Sequence, residues 1–359
     1  MSFYTNLGVA QAAAEGTLVR SNSLTKLLNG LRDPANKKEV DEARSALRQK
    51  ALTPGVSHVD ASISTMSVQY KNEEYIGERL MPVIPAENKS GTYFTYDKRA
   101  QLAYPDDALG VRGSPNEVTR ARGTDTFKTN GYGYKDYVDE SEADNADAPL
   151  DDLADATGGL VEAMQFRREL RVSSLLTTPA TYAGNTAALA SGVRWYVAGG
   201  NPVGDILAAR NALWTGRGAS KVVAFMSLAV WTAMQQNAKL METFKYTRDG
   251  LLQPAQWAGY FGVDELLIGA ARKDNANEGQ SASYGRVWGD VFGLIRVATT
   301  PSKRNASFGA TFRFGELQTA QWFDPQLGTR GGWWAKAAVD EVHKIIAPDT
   351  GFLYTTVIG

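Results

Sequence analysis

PLDDLADATGGLVEAMQFRRELRVSSLL, residues Pro149 to Leu176, is the stretch whose reading decides the fold. Its apolar residues recur at spacings of three and four, which lines side chains up along helical stripes. Leu153, Ala156, Leu160, Ala163, Phe166 and Leu170 make one row; Leu150, Ala154, Val161, Met164, Val172 and Leu175 make a second, interrupted by Arg168. A helix with two apolar stripes needs two partners, so it is expected to lie between layers. Asp151, Asp152 and Asp155 sit where the helix dipole is positive, Arg167, Arg168 and Arg171 lie toward its negative end, and Pro149 suits a first turn. At 1.5 Å per residue such a helix spans on the order of 40 Å. Its weak point is Gly158-Gly159, because each glycine costs roughly 1 kcal/mol against alanine inside a helix. Either another backbone packs closely there, or the helix kinks or breaks; the unbroken helix is the favoured reading.

Composition sets the bounds. The 359 residues suffice for two or three domains, and 43% hydrophobic residues allows a sizeable core. Lys plus Arg at 38 against Asp plus Glu at 39 gives a net charge of -1, so the chain is no polycation built to coat nucleic acid, and any such contact must be local. Zero cysteines removes disulfides, thiolate catalysis and sulfur metal sites together. With no apolar run of about 18 residues and no signal-peptide layout, the expectation is a soluble, cytoplasmically made protein that contacts no membrane.

On the N-terminal side of the helix, Met1 to Gly55 is polar and alanine-rich, with two short helical patterns: Leu24, Leu27, Leu28 and Leu31, then Val40, Ala43, Leu47 and Ala51. Eight basic residues against five acidic ones leave this arm at +3. Helices this short are unstable alone, so the segment reads either as an arm that docks elsewhere or as a frayed terminus. GTYFTYDKRAQLAY (Gly91 to Tyr104) and TDTFKTNGYGYKDYV (Thr124 to Val138) are rich in Thr, Tyr and Phe with partial alternation, as strands are. Between them lies a Gly-, Pro- and charge-rich tip with Asp106, Asp107, Arg112, Arg120 and Arg122. The pair predicts a long hairpin. A two-stranded ribbon is marginal in water, so it must lie on its own domain or on a neighbouring subunit. The acidic run Asp139 to Asp152 lacks the spacing and glycine of an EF-hand loop and reads as a solvated lead-in to the helix.

Beyond the helix, Thr178 to Gly204 is loop-like, and an α/β region opens. DILAARNALW (from Asp205) and LAVWTAMQQNAKLMETF (Leu228 to Phe244) have helical period, and PAQWAGYFG has Pro254 at a helix start. KVVAFMS (from Lys221), ELLIGAA (from Glu265), VWGDVFGLIRVA (from Val287) and SFGATFRF (from Ser307) read as strands, ARKDNANEGQSASYG as an exposed loop, and the residues from Trp333 onward as strands returning to the sheet.

Motifs that would name an enzyme are absent: no Gly-Lys pair for a phosphate-binding loop, no HExxH, no GxSxG. GRGASK at Gly216 lacks the third glycine of a dinucleotide fingerprint and precedes its strand. The two histidines, His58 in a loop and His343 in a terminal strand, read as packing residues rather than general bases. The eight tryptophans read as core and interface anchors. No catalytic residue, cofactor site or metal site is expected.

The order of these pieces resembles the major capsid proteins of tailed bacteriophages with the Hong Kong 97-like fold, from about Val56 to the end. FKYTRDGLLQPAQWAGYFGVDELLIGAA (Phe244 to Ala271), VWGD at Val287, SFGATFRF at Ser307, and LGTRGGWW leading into KIIAPDTGFL carry the local texture. The resemblance implies an α+β fold with an N-terminal arm (1–55), a lead-in (56–90), an extended hairpin or E-loop (91–138), a peripheral domain with a spine helix (139–204), an axial domain (205–298) and return strands (299–359). It implies a structural protein that forms hexamers and pentamers of an icosahedral shell around double-stranded DNA, located in the virion and assembled in the host cytoplasm. Contacts between subunits would come from the hairpin tip, with Tyr104, Asp106, Asp107, Arg112, Arg120 and Arg122. Spine packing would come from Leu153, Leu160, Met164, Phe166 and Leu170, and a DNA-facing arm from Arg20, Lys37, Lys38, Arg44 and Arg48. Fewer than sixty residues precede the matching region, where many members carry a long scaffold domain, so a separate scaffolding protein is implied, with a portal and room for a decoration protein. Lys98 and Lys128 exist in the hairpin, but no crosslink is predicted. Two other readings are an encapsulin-like shell around protein cargo, which shares the fold, and an α/β enzyme of unrecognised type.

Overall fold

The computed structural model describes residues 75–95, 106–108, 114–115, 123–141, 152–214, 220–244, 254–277, 279–302 and 307–358. In chain order the elements are α1 (Gly77–Leu80), β1 (Val83–Ala86), β2 (Ser90–Thr95), β3 (Gly123–Lys128), β4 (Asn130–Asp139), the long helix α2 (Asp152–Leu176) and β5 (Thr186–Ala188). There follow α3 (Pro202–Ala212), β6 (Ser220–Ser227), α4 (Leu228–Gln235), α5 (Ala238–Phe244), α6 (Pro254–Phe261) and β7 (Glu265–Gly269). The last are β8 (Arg272–Asp274), β9 (Tyr284–Arg286), β10 (Phe292–Ala298), β11 (Gly309–Asp324), β12 (Gly332–Ile345) and β13 (Gly351–Thr355). The described residues fall into two compact units, the smaller holding 132–164 and 316–339 and the larger the remainder. Helix α2 and strands β11 and β12 each begin in one unit and end in the other.

In the larger unit a five-stranded sheet runs β5-β13-β10-β6-β7. Strand β6 is buried on both faces, as the unbroken run KVVAFMS requires. Val222, Ala224 and Met226 face the layer of α3 to α6, where Ile206, Trp231, Leu240, Trp257 and Phe261 pack. Val223 and Phe225 face the other way, toward Trp288, Phe308 and the α2 residues Val172 and Leu176. A separate small core forms where Phe127 of β3 stacks on Phe312 of β11, ring centroids 4.3 Å apart, beside Ile84 and Tyr93. In the smaller unit Leu160, Val161 and Met164 of α2 pack on Ala335, Ala337 and Val339 of β12, the alanines making room for the helix.

Several expectations are corrected. The stretch Leu228 to Phe244 is two helices, because buried Asn237 accepts from Lys239 N (3.1 Å) and Leu240 N (3.3 Å), capping α5, while donating to Trp195 O at 2.7 Å. The exposed loop after β7 contains a paired hairpin, β8 against β9. Val287 to Val291 turns before β10 begins, with Gly289 at φ +59. The acidic lead-in is not solvated at its start: Glu140 is buried and accepts from Trp333 Nε1 at 2.7 Å.

Candidate functional site

No cluster of three or more His, Asp or Glu side chains that could hold a metal occurs among the described residues, and no described helix is long and apolar enough to cross a membrane. The elements with functional geometry are α2, the ribbon β2–β3, and the two buried carboxylates that fix α2 in the larger unit.

Helix α2 runs unbroken through Gly158 and Gly159, and a Cβ at either glycine would meet nothing within 4 Å. The close backbone contact that was one reading of the glycine pair is therefore not made by the described chain. The expected packing residues divide between two cores: Leu153, Leu160 and Met164 in the smaller unit, Phe166 and Leu170 in the larger.

Sequence reasoning missed what lies between the apolar stripes. Glu169, 2% exposed, accepts from Ile76 N (3.1 Å) and Trp288 Nε1 (2.7 Å) on one oxygen and from Gly77 N (2.7 Å) on the other. A mid-helix carboxylate thus ties down the start of α1, whose Gly77 lies so close to Val172 that an added Cβ would sit 3.3 Å from it. Burial raises the Glu169 pKa, against the three donors, which act to lower it.

The second carboxylate is Glu341 on β12, 1% exposed. Arg171 Nη2 lies 2.8 Å from Oε1, Arg313 Nη2 3.2 Å from Oε2, and Arg168 Nε 3.7 Å from Oε2, while Arg168 Nη1 also reaches Glu78 at 3.0 Å. Burial works against its ionised form, but the surrounding guanidiniums prevail and hold its pKa below the usual carboxylate range. Arg168, which interrupts the apolar row, is therefore the residue that joins the helix to this cluster. His343 sits alongside, Nε2 3.6 Å from Glu341 Oε1. Thr311 Oγ1 lies 2.9 Å from His343 Nδ1 and 3.2 Å from Met81 O, so the ring is hydrogen-bonded on its Nδ1 side. Burial and the arginines push its pKa down to about 4 in spite of Glu341. His343 is thus the packing residue that its place in the strand led us to expect. Both carboxylates are enclosed and engaged on both oxygens, an arrangement that holds a helix in place and leaves neither free for a substrate.

The ribbon β2–β3 pairs antiparallel from Ser90↔Lys128 to Thr95↔Gly123. Its second arm is shorter than expected: Thr129 N and Oγ1 both donate to Lys89 O (2.7 and 3.1 Å), the strand breaks there, and β4 joins another sheet as an edge. The ribbon base lies on its own chain, Phe127 over Phe312, and Tyr93 OH donates to Asp125 at 2.6 Å. At the tip Asp106 and Asp107 are exposed, and Asp106 accepts from Ala108 N at 3.2 Å. Tyr104, Arg112, Arg120 and Arg122 lie outside the described residues, as do Arg20, Lys37, Lys38, Arg44, Arg48 and His58. Of the expected set, the described structure shows the five helix residues in two separate cores and Asp106 and Asp107 at the surface.

A long helix packed on a sheet, a ribbon and a second α/β unit define a protein of the phage capsid fold. A phage-related protein from Bordetella bronchiseptica RB50 has a similar structure, with a TM-score of 0.66, 22% identity, and coverage of 84% of this chain and 99% of that one. The capsid structure of cyanophage P-SCSP1u follows with a TM-score of 0.53 at 10% identity, covering 78% of this chain and 87% of that one. The major capsid protein of Pseudomonas phage JBD67 is 24% identical over 305 residues, 84% of this chain and 97% of that protein. That of Burkholderia phage BcepMu is 26% identical over 218 residues, 59% of this chain and 69% of that protein. No family model matches the chain. The chain is similar in sequence to phage major capsid proteins and has the α+β fold of phage capsid structures.

Proposed function

We propose that this chain is the principal shell subunit of a tailed bacteriophage, assembling as hexamers and pentamers into an icosahedral capsid around double-stranded DNA. The observation that carries the proposal is likeness along nearly the whole of a major capsid protein, 97% of its length, joined to the matching fold. On this reading residues 91–138 are the extended loop that reaches an adjacent subunit, 1–55 an arm toward another, 139–204 the peripheral domain and 205–298 the axial domain. Physical chemistry supports the assignment of the ribbon. Its base has a surface to lie on, but a tip crowded with Asp106, Asp107, Arg112, Arg120 and Arg122 has little apolar area to bury at home and gains contacts from a neighbour. Many modest contacts per subunit then multiply into a stable shell. A scaffolding protein, a portal and non-specific contact with packaged DNA, assembly taking place in the host cytoplasm, complete the proposal.

The test is expression of the full chain with and without a co-expressed scaffolding protein, followed by negative-stain electron microscopy. Large shells that become uniform with the scaffold support the proposal. Small uniform shells holding protein cargo would move the chain to the encapsulin-like reading, and compact monomers under both conditions would refute a shell role.

A further inference from the structure

The five-stranded sheet of the larger unit ends in two edges. Its order β5-β13-β10-β6-β7 leaves β5 and β7 with one strand neighbour each among the described residues. An edge strand presents backbone N–H and C=O groups that template pairing with another chain, and proteins commonly blunt such edges with charge or proline. Neither device is used along the apolar part of these two. Leu266 to Ala271 reads LLIGAA and Asn185 to Ser191 reads NTAALAS, while the charge at the start of β7, Glu265, is engaged by Lys221 and Arg79.

The two edges also match in direction and in face. Strand β7 is parallel to β6, β6 antiparallel to β10, β10 antiparallel to β13, and β13 parallel to β5, so β5 and β7 run in the same sense. Ala187 and Leu189 at one edge, and Leu266 and Ile268 at the other, are partly buried against the same core, the one beneath the helical layer. Each edge is thus a half-covered apolar rim of a single layer.

We infer that β7 of one copy pairs in parallel with β5 of the next, so that the sheet continues from subunit to subunit around the capsomer ring. The inference rests on the shell reading above. A ring built by rotation joins two different patches of each subunit, and two edges of one sheet that run in the same sense meet as a parallel pair without turning either subunit over. Pairing of like edges, β7 with β7, is two-fold and ends at a dimer. Backbone hydrogen bonds supply the contact and alternate side chains keep their faces, which sets Ala187 of one copy beside Leu266 or Ile268 of its neighbour. With only three residues in β5 each contact is short, and repetition around the ring multiplies it.

Amide hydrogen exchange on the unaltered chain, comparing assembled particles with unassembled subunits, tests the pairing without any substitution. Several-fold slower exchange on assembly in both 186–188 and 265–269 supports it. Protection gained in one of the two segments or in neither, in well-formed particles, overturns it. A chain without cysteine adds a second arm. Ala187→Cys is combined in turn with Leu266→Cys and Ile268→Cys, particles are assembled and oxidised, and the chains are separated under denaturing, non-reducing conditions. A ladder of covalent oligomers ending at five or six chains from either pair, with no ladder from any single variant, supports the pairing. Assembled particles of both pairs that give no ladder, or a covalent dimer from one cysteine alone, overturn it and leave the shell reading standing. If the unaltered chain forms no particles, the shell reading fails and takes this inference with it.

Discussion

Replacing Glu169 by alanine should destabilise the subunit more than any single apolar truncation in α2 of comparable size. The carboxylate accepts from Ile76 N, Gly77 N and Trp288 Nε1, and Trp288 is fully buried. Each buried donor left without a partner costs about 1–3 kcal/mol, so three together reach roughly 6 kcal/mol. Relief of the carboxylate's own burial, which raises its pKa, offsets part of that. A net loss of about 4 kcal/mol is expected for Glu169→Ala. Glu169→Gln keeps the shape and one acceptor oxygen but turns an amide N–H toward one of the three donors, so about 2 kcal/mol is expected. Urea unfolding of the unassembled subunit, followed by tryptophan fluorescence, measures both, and Trp288 reports on the site directly. If both variants stay within about 0.5 kcal/mol of the unaltered chain, the claim that this carboxylate fastens α1 to the long helix is wrong.

Because nothing lies within 4 Å of a Cβ at Gly158 or Gly159, alanine at either should stabilise the subunit by about 1 kcal/mol, read as a higher urea midpoint; a lower one would place another part of the chain against the pair. His343 has a folded pKa of about 4 against an ordinary 6.5, so the unfolded chain takes up its proton first as pH falls. Its contribution is complete above pH 6.5 and is lost toward pH 4, about 2 kcal/mol of it by pH 5. His343→Gln should flatten the stability profile over that window, and an unchanged profile would contradict the assignment. Glu341, held low, loses its contribution at still lower pH, whereas Glu169, held high, acts in the opposite sense. Deleting Leu102 to Ala121 should leave a soluble, folded subunit that cannot close shells; normal shells from that deletion would remove the tip's assigned role.

The long helix, the buried strand β6 and the helical layer were legible because each rests on local periodicity, which a sequence displays directly. The capsid-like arrangement was legible from the order of the pieces. What escaped was set by partners distant along the chain. Glu169 looked like one more charge among arginines, and only Trp288 and the backbone of Ile76 and Gly77, more than ninety residues away, reveal it as buried. Glu341 is hidden in the same way, since no spacing announces that Arg168, Arg171 and Arg313 will converge on it. The split of the helix after Gln235 turned on Asn237, whose side chain has a backbone partner at Trp195. The β8–β9 hairpin escaped because its strands are three residues each, too short for alternation to register. The helix residues named from sequence sit in two cores, which one pair of stripes on a helical wheel does not distinguish.

The central claim is that the tip of the ribbon gains its burial from other copies of the chain. A reconstruction of assembled particles, at a resolution that traces strands, measures this directly. The account predicts density for residues 96–122 lying across an adjacent subunit in every capsomer. Density for that segment folded back on its own subunit, or a chain that stays monomeric at every concentration with its scaffold present, would contradict it.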